Sequence, residues 1–183
     1  MNRDQALLLL KQRIKNKNLI KHSLAVEACL RELAKKFDED EEKWGLAGLL
    51  HDLDYEETLN NPQEHAKKAA LELSALGLDH EIVHAVLAHN EATGVARESK
   101  LDKAIYAADP LTGLIVAAVL VLPSKKIADL TVQSVLNRFK EKSFARGANR
   151  ETILACQELG LNLEEFVATC LLAMKKISHD LDL

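Results

Sequence analysis

Six residues combine imidazole and carboxylate chemistry at positions a helical chain would turn inward. His22, in KHSLAVEACLREL, lies three residues after Leu19 and four before Val26, within one apolar stripe. His51-Asp52 closes GLAGLLHD, where Trp44, Ala47, Gly48 and His51 share a helical face. Adjacent helical residues are only about 100° apart, so a nitrogen and an oxygen of that pair could converge on one cation. Asp109 follows IYAA at four residues from Ile105 and eight from Leu101, which points it inward. An unpaired carboxylate is expensive there. Pro110 removes a helical N–H and disfavours α geometry at Asp109, so the pattern predicts a kinked site. In DHEIVHAVLAHN, His89 lies seven residues after Ile82, about 20° off the same line, and faces the core. His80 and His84 fall on the opposite side and are expected to face water. His65, in the predicted helix PQEHAKKAALEL, precedes Ala69 by four and Leu73 by eight and can also turn inward.

Each of these has a plainer reading, a core histidine bonded to a carbonyl or a solvated one. Together they supply four inward imidazoles and two inward carboxylates with no thiolate. That donor set suits Fe, Mn, Co, Ni or Zn rather than Ca or a structural zinc. Six ligands with one shared carboxylate suit two divalent transition-metal ions.

The elements that must position these groups read as helices throughout. The 183 residues are 48% apolar but only 4% aromatic, with seven glycines and three prolines. A core of Leu, Ala, Ile and Val with abundant Glu and Lys favours helix. Helix starts are expected at Asn18, Asp40, Asn61-Pro62, Asp79, Ser99, Thr131, Asn149 and Asn162. No stretch alternates with the period of a strand. The expected fold is all-α, a single domain over residues 1–183, with the donor set in a core of about 18–121 and C-terminal helices over 122–183. LTGLIVAAVLVL, residues 111–122, is shorter than the ~20 apolar residues of a membrane span and reads as a buried core helix. The N-terminus does not read as a signal peptide. A net charge of −4 provides no global basic field for a nucleic-acid polymer. Three scattered cysteines without CxxC spacing point to reduced thiols and a cytoplasmic location.

The order His22 … His51-Asp52 … Asp109 resembles the HD superfamily of metal-dependent phosphohydrolases over about residues 18–121. The resemblance implies an all-α bundle whose metal ligands come from separate helices. His65 and His89 match the two extra histidines of its dinuclear branches, which include cyclic-dinucleotide phosphodiesterases, diadenosine-polyphosphate hydrolases and the distantly related inositol oxygenases. On that basis Asp52 bridges two metals, His22, His51 and Asp109 complete one site, and His65 and His89 hold the second. A metal-activated water would then attack a nucleotide or other small phosphoester. Two departures stand out. The common HDIGK version has Gly and Lys where this chain has Leu53-Asp54-Tyr55, and the double histidine of the cyclic-dinucleotide enzymes is here His89-Asn90.

Around that centre, Asp54, Glu56 and Glu57 are candidate acid/base groups or partners of the imidazole N–H groups, Asp54 and Glu56 foremost. Lys142, Arg146 and Arg150, in RFKEKSFARGANR, are candidate phosphate contacts. The expected partner is a small phosphorylated substrate, with no membrane, and a homo-oligomer stays open. Two other readings remain: a di-iron oxygenase, or a metal-containing module that binds a nucleotide or a partner.

Overall fold

Helix boundaries in this chain are set mostly by side-chain caps. The computed structural model describes all 183 residues, and no strand occurs among them. Asn2 opens α1 (Arg3–Arg13) in a reciprocal box with Gln5. α2 (Lys17–Phe37) starts earlier than expected, because Asn16 rather than Asn18 caps it and accepts the Asn18 N–H. Asp40 caps α3 (Glu41–Leu50), Asp79 caps α6 (His80–Ala88) and Ser99 caps α7 (Lys100–Leu120). Thr131, Asn149 and Asn162 cap α8 (Val132–Lys140), α9 (Arg150–Leu154) and α10 (Leu163–Lys176). Each cap oxygen accepts a backbone N–H that the first helical turn leaves free. Single turns form α4 (Tyr55–Thr58) and α11 (Ser178–Leu181).

α5 departs from the local signal. It runs Lys67–Ala75 and does not start at Asn61-Pro62. Residues 62–66 form turns, and Ala66 sits in the left-handed region at φ 73°. The cap comes from a distant residue: Asp54 accepts the N–H groups of Ala66 (3.1 Å) and Ala69 (2.9 Å). A tertiary hydrogen-bond partner has displaced the sequence-local one, and His65 is carried on a turn rather than a helix.

α7 crosses the centre of the molecule. Leu101, Ile105, Leu111, Leu114, Ile115 and Val119 have no exposed surface, so it is the buried core helix its composition suggested. It also stays helical through Pro110. Ala107, Ala108, Leu111 and Thr112 are buried on both sides of the proline, and their packing outweighs its local preference. One hydrophobic cluster of 45 buried residues joins α7 to α2, α3 and α10.

α2 and α3 lie unusually close. A Cβ added to Gly48 would stand 2.9 Å from the Glu27 backbone, so only glycine permits this approach. It brings the His22 and His51 rings to 5.2 Å. His84 also differs from expectation. Its Nδ1 lies 3.0 Å from Oδ2 of the fully buried Asp102, at the start of α7, so it links two helices instead of facing water. His80 is exposed as anticipated.

Candidate metal centre

Five elements deliver six side chains to one place. His22 comes from α2, His51 and Asp52 from the end of α3, and His65 from the turn before α5. His89 comes from the C-cap of α6, and Asp109 from the middle of α7. Asp52 is the hub. Its Oδ2 lies 3.5 Å from His22 Nε2 and 3.3 Å from His51 Nε2. Its Oδ1 lies 3.1 Å from His65 Nε2 and 3.6 Å from His89 Nε2. Asp109 Oδ1 joins the first group, 3.0 Å from His22 Nε2 and 3.9 Å from His51 Nε2. Donor atoms of His22, His51 and Asp109 lie within 4.8 Å of one another, as do those of His51, Asp52 and His89. The cluster opens to solvent through a cleft of about 410 Å³ whose rim adds Leu19, Tyr55 and Asn90.

Every imidazole is anchored through Nδ1, so that Nε2 points inward. His51 Nδ1 donates to the Gly48 carbonyl (2.8 Å) and His89 Nδ1 to the Val86 carbonyl (2.6 Å). His65 Nδ1 donates to Asp54 Oδ1 (2.8 Å). The Thr112 hydroxyl spends its proton on the Asp109 carbonyl (2.8 Å), so it accepts from His22 Nδ1 (3.1 Å). An N–H bond of this kind on the far ring nitrogen fixes tautomer and ring orientation in metal-ligating histidines.

Lone pairs of four Nε2 atoms facing carboxylate oxygens need positive charge between them. At His51 and His65 of the metal-free protein, protons supply it. Burial alone would lower the His51 pKa, but the charge of Asp52, then that of Asp109 and the Gly48 carbonyl, raise it to about 9. His65 follows the same balance, with burial opposed by Asp52 and Asp54, and also reaches about 9. Burial pushes the Asp52 carboxyl up, yet His51, then His65 and His89, hold it well below the usual carboxylate range. The donor set fits a divalent cation for a further reason: His51 Nε2 is buried and makes no hydrogen bond. A buried polar atom is rarely left so without a missing partner.

The remaining candidates are placed differently. Asp54 is buried, and its two oxygens are taken by His65 Nδ1, Ala66 N–H and Ala69 N–H. Its carboxylate therefore orients His65 instead of facing the cleft. Glu56 is occupied elsewhere, accepting the backbone N–H groups of Lys15 and Asn16 at 2.7–3.1 Å. The guanidinium of Arg150 points inward onto six carbonyls, those of Arg138, Phe139, Glu141, Phe144, Ala145 and Ala148. It holds residues 138–150 together and has no N–H left for a phosphate. Lys142 and Arg146 are exposed and enter no ion pair or side-chain hydrogen bond. In the same stretch of chain, Ala145, Gly147 and Ala148 line a recess of about 310 Å³ that His22 and Asp109 also border.

Sequence reasoning missed Thr112 as the anchor of His22. The available signal was a hydroxyl three residues after Asp109 inside an otherwise apolar run. It also treated Asn90 only as a departure. Asn90 Nδ2 donates to the carbonyls of Pro62 (3.2 Å) and His65 (2.9 Å), which ties the His65 turn to the end of α6.

A family model described as "HD domain" matches residues 19–114. Among curated proteins, Ribonuclease Y of Oleidesulfovibrio alaskensis is 32% identical over 98 residues. The match covers 54% of this chain but only 18% of that relative's length. No solved structure matches.

Proposed function

The chain belongs to the HD domain family, and on that premise we propose that it is a dinuclear metal-dependent phosphohydrolase acting on a nucleotide or another small phosphoester. The observation that carries this reading is how the two oxygens of Asp52 divide the histidines between them. One of its oxygens faces His22 and His51, and the other faces His65 and His89. His22, His51, Asp52 and Asp109 would hold one ion, and Asp52, His65 and His89 a second. Divalent Fe, Mn, Co, Ni or Zn held there would polarise a phosphoryl oxygen and lower the pKa of a bound water to near neutrality.

The protein's own groups set the conditions. The Nδ1 anchors keep the four imidazoles aimed inward before substrate arrives, so little reorganisation remains for the reacting complex. The cleft admits a phosphoryl group beside Tyr55 and Asn90. Lys142 and Arg146, free of acidic partners, are the cations available to neutralise substrate oxygens. Three buried free cysteines suit a reducing compartment, which supports a cytoplasmic location.

Similarity to a ribonuclease over 18% of that protein's length favours a second reading, cleavage of RNA. Both readings are tested by metal analysis together with a screen of nucleotides, small phosphoesters and short oligoribonucleotides under several divalent metals. We expect two ions per chain, lost in Asp52→Ala, and phosphate release with manganese or cobalt under nitrogen. Fewer than one ion per chain, unchanged by Asp52→Ala, overturns the proposal. Activity that requires oxygen assigns the centre to di-iron redox chemistry instead.

A further inference from the structure

The two halves of the donor set are supported unequally. His22 and Asp109 stand on 21-residue helices, and His51 follows a helix buried along most of its length. His65 stands on an irregular stretch, residues 62–66, that ends in a left-handed alanine. A positive φ is unfavourable for any residue with a Cβ, so this turn persists only because something outside it holds it.

Two side chains supply that hold. Asp54 is 5% exposed. Its Oδ1 accepts both His65 Nδ1–H (2.8 Å) and the Ala66 N–H (3.1 Å), and its Oδ2 accepts the Ala69 N–H (2.9 Å). A single carboxylate therefore orients the imidazole, caps α5 and stabilises the strained residue between them. From the opposite side, Asn90 binds the Pro62 and His65 carbonyls. Asn90 directly follows His89, so the clamp also ties together the two histidines of the second position. Their Nε2 atoms are 3.2 Å apart.

We propose that Asp54 and Asn90 are positioning residues that create the second metal position, which is the weaker and separately loaded of the two. This rests on the dinuclear reading. The first position depends on neither residue: its histidines are anchored by Gly48 and Thr112. Removing the clamp should weaken one position and leave the other.

The test is metal titration of the whole chain with Mn²⁺ or Zn²⁺, following ions bound per chain and the affinity of each step. Wild type is expected to bind in two resolved steps. In Asp54→Asn, which keeps the shape but weakens acceptance from His65, the second step should weaken on the order of 10- to 100-fold. The first should move by less than about 2-fold. Asn90→Ala should act in the same direction. Combining Asp54→Asn with His65→Ala should cost no more than His65→Ala alone, because residues sharing one pathway are not additive. Equal weakening of both steps would mean a merely structural role, and an unchanged second step would mean no role; either overturns the proposal. A wild type that saturates at one ion removes the dinuclear reading. Asp54 is then judged in the metal-free protein at a pH well above 9, where the His65 imidazole is neutral, by nitrogen-detected NMR of the His65 tautomer. The Nδ1–H form should dominate in wild type and be lost in Asp54→Ala, and an unchanged tautomer overturns the positioning role.

Discussion

At the scale of single residues, the centre exchanges protons for metal. His51 and His65 hold protons up to about pH 9 in the metal-free protein because Asp52 lies beside both. Metal ligation requires neutral imidazole, so binding must release those protons. Calorimetry at pH 7.5 in buffers of different ionisation enthalpy should show about two protons released per chain, and buffer-independent heats would contradict it. The same shifts set the stability of the metal-free protein. A histidine whose pKa rises from 6.5 to about 9 on folding binds its proton more tightly in the folded state. Its stabilisation is fully present below pH 6.5 and is lost as pH rises through about 9. The melting temperature of metal-free protein should therefore fall between pH 6.5 and 9, and that fall should be smaller in Asp52→Asn.

Two contacts between elements decide whether the residues meet. Gly48 lets α3 approach α2 until a Cβ would stand 2.9 Å from Glu27 backbone atoms. Gly48→Ala pushes against backbone that no rotamer change can relieve. The expected cost is about 1–3 kcal/mol in denaturant unfolding, with weaker metal binding because His22 and His51 move apart. The loop after α8 depends instead on Arg150 and its six carbonyls. Arg150→Ala leaves those acceptors without their donor. It should cost about 1–3 kcal/mol and loosen residues 141–148 toward proteases. Metal content should not change, since no ligand lies there. Arg146→Ala, by contrast, should leave stability within about 0.5 kcal/mol and raise KM for a phosphorylated substrate.

For the whole molecule, metal and fold are linked, since ions that bind only the folded state stabilise it by mass action. Chelation should lower the melting temperature of wild type and leave Asp52→Ala unchanged. Local signals in the chain were enough for the all-α class, six of the helix caps and the inward direction of His22, His89 and Asp109. Those features rest on local chemistry: a cap oxygen beside free N–H groups, and the 3.6-residue period that puts His22, His89 and Asp109 on apolar faces. The sequence by itself could not show that α5 begins at Lys67, because the cap is Asp54, fifteen residues before Ala69 and near only after folding. Nor could it show that Arg150 serves carbonyls, that His84 pairs with Asp102, or that α7 stays helical through Pro110. In each case the deciding partner lies on another element or in the core. A charged or polar side chain carries no mark in the sequence of which distant group will satisfy it. Tertiary packing made that choice, and it alone gathered six scattered residues into one cluster around Asp52.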